Sequence, residues 1–110
     1  MAVSKTILFD KKLQTSAGLF KVLSHPARLA ILKFLAESKT CITGDFSVEL
    51  PLGRTTVGQH LTELKEAELI TPHIEGVKTY YCLNHKKLEE LKIITESFIK
   101  EIIPDDDLCC

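Results

Sequence analysis

A helix that runs straight into a hairpin dominates this sequence. Residues 54–69 read RTTVGQHLTELKEAEL. Val57, Leu61 and Leu64 recur at helical spacing, which predicts one helix with one buried stripe. Directly after Leu69 the period changes: ITPHIE and KTYYCLN alternate as strands do, and Glu75-Gly76-Val77-Lys78 supplies a turn between them. Pro72 has no N–H to give to a ladder and marks an edge strand, which suits a two-stranded hairpin. With 110 residues in all, the chain has room for a single domain around one core.

The flanking segments are helical. DKKLQTSAGLFKVL carries Leu13, Ala17, Phe20 and Leu23 on one face. Ser24-His25-Pro26 interrupts it; Ser is a favoured N-cap and Pro fits a first turn, so SHPARLAILKFLAE starts a second helix. Its inner face is the stem of Arg28 with Ile31, Leu32 and Leu35. Asp45 can cap a brief helix through Glu49 and Leu50, ended by Pro51-Leu52-Gly53. Two helices joined by so short a Gly-containing turn form a helix-turn-helix. The last helix, HKKLEELKIITESFIKEII, aligns Leu88, Leu91, Ile94, Phe98 and Ile102, and PDDDLCC is a polar tail.

The predicted fold is mainly α with a small β-hairpin. Residues 24–84 form a self-contained core, 5–23 and 86–103 are outer helices, and 104–110 are the tail. The outer helices carry more apolar surface than so small a core can cover. A second copy of the chain answers that need, so a homodimer is expected, with Leu13, Phe20, Leu91, Ile94, Phe98 and Ile102 at its interface.

The helix over 54–66 turns Thr55, Gln59 and Thr62 away from its apolar stripe, in a chain otherwise rich in Lys and Glu. Short uncharged groups suit a major groove about 12 Å wide, where acidic groups would meet phosphate repulsion. Gln59 can pair with adenine N6 and N7, Thr55 can meet a thymine methyl or a phosphate, and Arg54 can reach a guanine or the backbone. Thr56 and His60 complete the candidate set on this helix; His60 also lies beside the stripe, where a histidine packs. The hairpin then serves as a wing, with Lys78 and Thr79 near its tip and Glu75 limiting its insertion. Double-stranded operator DNA is the expected partner. Charge agrees: residues 1–87 hold 12 Lys/Arg against 8 Asp/Glu, whereas 88–110 hold 2 against 7, so the acid is confined to one end.

KVLSHPARLAILKFL, TTVGQHLTELKEAELI and IEGVKTYYCLN resemble the corresponding stretches of the ArsR/SmtB family of winged helix-turn-helix repressors. The resemblance covers residues 18–84. It implies a homodimer that binds a palindromic operator and is released by an effector, often a metal or metalloid ion. Many members carry a Cys-x-Cys-Asp box before the recognition helix; here Cys41 matches and Thr43 stands where the second cysteine belongs. The family's zinc site on the last helix is not matched: Asn84-His85 stands before that helix and no later histidine falls within it.

Cys109 and Cys110 are adjacent thiols suited to a soft centre such as As(III) or Sb(III), with Cys41 as a third sulfur. A thiol redox switch on the same fold is the alternative effector reading, and a winged-helix protein-interaction module without DNA is a third. No apolar run approaches the roughly 20 residues of a membrane span, and no leader is evident, so a cytoplasmic protein with four reduced cysteines is expected, Cys82 packing as a small residue. His25, His60, His73 and His85 fall on separate elements, and no catalytic triad, carboxylate pair or phosphate loop stands at meaningful spacing. An enzyme is not expected.

Overall fold

The computed structural model describes residues 8–38, 42–43 and 51–104. Its elements are α1 (Lys11–Val22), α2 (Pro26–Ser38), β1 (Ile42–Thr43), α3 (Arg54–Glu66), β2 (Ile70–Glu75), β3 (Lys78–Leu83) and α4 (His85–Ile102). The brief helix expected from Asp45 to Leu50 and the tail from Asp105 onward lie outside the described residues.

Local chemistry explains where the helices start. Asp10 caps α1, its carboxylate accepting the Lys12 N–H at 3.0 Å. The α1–α2 corner differs from the expectation that Ser24 caps α2. Ser24 closes α1 instead: both its N–H and its hydroxyl donate to the Lys21 carbonyl. His25 takes the cap, its ring Nδ1 accepting the Ala27 N–H at 3.0 Å while its carbonyl accepts from Arg28 and Leu29.

α3 ends in a Schellman turn. The Leu69 N–H donates to the Leu64 carbonyl and the Glu68 N–H to the Lys65 carbonyl, with Glu68 in the left-handed region at φ 64°. Leu64 and Leu69, which such a turn brings into apolar contact, are both fully buried. Asn84 then fastens this corner to α4: it donates from its N–H to the Leu69 carbonyl and from Nδ2 to the Glu68 carbonyl, and its Oδ1 accepts the Lys87 N–H as N-cap.

The hairpin forms around the expected turn, with Glu75 opposite Lys78 and Ile70 opposite Leu83. Gly76, at φ 61°, leads its two-residue turn, a position that favours glycine. The sheet, however, has three strands in the order β1-β3-β2, because Ile42 pairs with Tyr81 and Thr43 with Tyr80. The sequence reading missed β1, since two residues are too short for alternation to register. β2 remains an edge, so Pro72 leaves no inner ladder bond unmade.

Ile31 and Leu35 of α2, Val57, Leu61 and Leu64 of α3, and Leu69 and Ile70 beyond it form the core. Tyr81, Leu83, Leu88 and Leu91 pack on its rim. α1 buries only Ser16 and Leu19, and α4 buries no residue. Phe20 of α1 meets Phe98 of α4 edge-on, ring centroids 6.0 Å apart, and Lys12 pairs with Glu101 at 2.8 Å.

Candidate nucleic-acid interface

α3 is pinned by its stripe of Val57, Leu61 and Leu64, and the side opposite faces solvent. Arg54, Thr55, Thr56, Gln59 and Thr62 are all exposed there. The Thr62 hydroxyl donates to the Gly58 carbonyl at 3.0 Å. Outward, Thr62 therefore offers an acceptor oxygen and a methyl group rather than a proton. Gly58 has open space where a Cβ would stand, so nothing within the chain demands a glycine here.

The structure turns His60 the other way. It is 7% exposed and faces the α1–α2 corner, so its place among the DNA-contacting residues is not supported. Its ring packs against His25 with centroids 4.2 Å apart, and its Nδ1 accepts a hydrogen bond from Arg28 Nε at 3.2 Å. Arg28 Nη1 also donates to the Val22 carbonyl at 3.0 Å. Burial, with His25 and Arg28 close by, lowers the His60 pKa below its ordinary value, and Glu63 opposes that shift. Sequence reading had set His25 and His60 on unrelated elements; the fold stacks them. The signal that could have found the pair is the HPAR segment, whose Arg and His reach the only histidine on the recognition helix.

On the wing, Lys78 is exposed and Thr79 half-buried. Glu75, opposite Lys78 in the register, offsets its charge. Ile74 and Val77 are exposed at the tip, an apolar pair the sequence reading did not single out.

Cys41, Cys109 and Cys110 lie outside the described residues, and no cluster of metal-ligating side chains occurs among the described ones. Cys82 corrects an expectation: it is half-buried and disulfide-bonded, not a reduced packing residue.

A helix whose outer face from Arg54 to Thr62 is polar and free of acid, seated on a core shared with α2 and the start of the hairpin that follows it, defines a winged helix-turn-helix DNA-binding module. Residues 23–73 match the model of a helix-turn-helix domain family. The chain is 32% identical over 87 residues to an uncharacterized HTH-type transcriptional regulator of Methanocaldococcus jannaschii, covering 78% of this chain and 98% of that one. It is 35% identical over 71 residues to the arsenical resistance operon repressor of Staphylococcus xylosus, covering 64% and 67%. Among solved structures, a protein described as a "Possible transcriptional regulator for arsenical resistance" superposes with a TM-score of 0.64 at 30% identity, over 71% of this chain and 80% of that one. The chain belongs to the ArsR/SmtB family of winged helix-turn-helix transcriptional regulators. It is a DNA-binding regulator and not an enzyme.

Proposed function

We propose that the chain is a cytoplasmic repressor that holds a palindromic operator as a homodimer, each copy placing α3 in one major groove. The outward face of α3, free of acidic groups from Arg54 to Thr62, carries this reading. Gln59 and Thr62 read base edges, Arg54, Thr55 and Thr56 position the helix start, and Lys78 with Thr79 steadies it from the wing. The apolar surface on α1 and α4 supports the dimer. Leu13, Ile93, Ile99 and Ile102 are exposed, and Phe9, Leu13, Phe20 and Phe98 line an open apolar cleft of about 280 Å³. Half-sites would then lie about 34 Å apart.

The effector acts through thiols. The arsenical repressor among its relatives supports As(III) or Sb(III), held by Cys109, Cys110 and Cys41. The Cys82 disulfide favours a second reading, a redox switch. The two exclude each other chemically, because a cross-link from Cys82 to any of those three cysteines leaves fewer than three thiols for a metalloid.

Binding to the DNA upstream of its own gene, followed by fluorescence anisotropy, tests the reading. Affinity should fall steeply with added salt. Arsenite should release only the reduced protein, and peroxide should release it without arsenite if the disulfide is the switch. A salt-independent or absent interaction would remove the repressor assignment.

A further inference from the structure

The residues that brace α3 from behind support an inference that rests on the DNA-binding reading. Val57, Leu61 and Leu64 hold α3 through apolar contact, which is not directional. Such contact fixes how close the helix sits and sets its rotation about its own axis only loosely. A hydrogen bond to a ring nitrogen is directional, and α3 receives one at His60 from Arg28. A rotation of about 10° moves atoms at the helix surface, about 5–6 Å from the axis, by about 1 Å. That displacement spoils a bidentate contact between Gln59 and a base edge.

Arg28 also reaches the end of α1. Its bond to the Val22 carbonyl satisfies a terminal group that has no partner within the helix, where a cation is favourable. One guanidinium thus ties the end of α1 to the middle of α3. Behind it, His25 and His60 both use Nδ1 as an acceptor, one for Ala27 and one for Arg28. Only a neutral imidazole can accept.

We propose that Arg28 and His60 are positioning residues for DNA binding: the bond between them sets the rotation of α3 and so the aim of Thr55, Gln59 and Thr62. A proton on His60 Nδ1 removes the acceptor and sets a second cation against Arg28. His25 stands alongside, and Glu63 on α3 itself is the one opposing charge among the groups acting on His60. Acidification therefore weakens the grip on DNA. The sign is diagnostic, because added positive charge by itself tightens binding to phosphates.

The full chain is tested on a duplex that the wild type enriches from a random pool, with melting temperature measured in parallel. Wild-type affinity should fall severalfold as pH is taken from about 7.5 to about 5, the loss setting in below the ordinary imidazole range because burial holds the proton off His60. His60→Asn, whose amide oxygen can accept from Arg28, should bind within about threefold of wild type at neutral pH and lose most of that pH dependence. His60→Leu and Arg28→Met should bind about tenfold more weakly while still melting cooperatively. The proposal is overturned if His60→Leu binds as wild type does, or if acid tightens wild-type binding. Should both of these variants unfold, the wild-type pH profile and His60→Asn still decide. A pool in which nothing is enriched defeats the DNA-binding reading itself, a different failure.

Discussion

Gln59 and His60 are neighbours in sequence, yet one faces solvent and the other is buried, so their substitutions separate. Gln59→Ala should leave the melting temperature unchanged and cost about 1–3 kcal/mol in discrimination at one base pair, read by binding to a panel of single-base operator variants. His60 makes a different prediction. Its folded pKa is lowered, so the unfolded chain takes up the proton first as pH falls. Stability from the neutral ring is complete above about pH 6.5 and is lost as pH drops from there toward the folded value. The melting temperature should decline across that window in the wild type and less in His60→Asn. How much of this was legible varies by residue. The inward turn of His60 follows from its place beside the apolar stripe. Its contact with His25 does not, because no periodicity links an inter-helix corner to the middle of a distant helix. Cys82 was illegible too, because nothing in the alternation of its own strand marks a cross-linked thiol.

Elements were easier to read than their junctions. The stripe of α3 and the alternation of β2 and β3 each repeat over several residues, and both appear where the pattern places them. The corner at Ser24-His25-Pro26 was misassigned because an imidazole can cap as a hydroxyl does, and only the rotamers decide between them. Two glycine questions belong here. Gly58→Ala has room for its methyl and should stabilise the protein by about 1 kcal/mol, measured by denaturant unfolding. Weakened DNA binding in the same variant would mean that the helix backbone itself approaches the duplex. At the other end of α3, Glu68 occupies a conformation that glycine adopts without cost. Glu68→Gly should gain roughly 0.5–1 kcal/mol, the relief of left-handed strain exceeding the added freedom of the unfolded chain.

At the level of the whole molecule, α4 shows what the sequence made plain: 18 residues with a continuous apolar side and no buried position. Lys12 and Glu101 meet at an exposed ion pair and hold α4 to α1 only weakly, so apolar area is what the two helices have to offer a second copy. Ile99→Asp combined with Ile102→Asp should yield a folded monomer by sedimentation and greatly reduced affinity for a two-half-site duplex. An unchanged dimer would place the subunit contact elsewhere. The third strand was beyond sequence reading at this scale too, since it depends on where the chain returns after α2.

The bond from the Asn84 N–H to the Leu69 carbonyl joins the two residues that flank the hairpin, beside the end of α3. The arm is thereby a loop with a locked base, its near end packed on the core and its far end, at Ile74 and Val77, standing clear of it. Its outer end can be lengthened or trimmed in pairs of residues, and its span over an adjoining groove altered, while the reading helix keeps its pose.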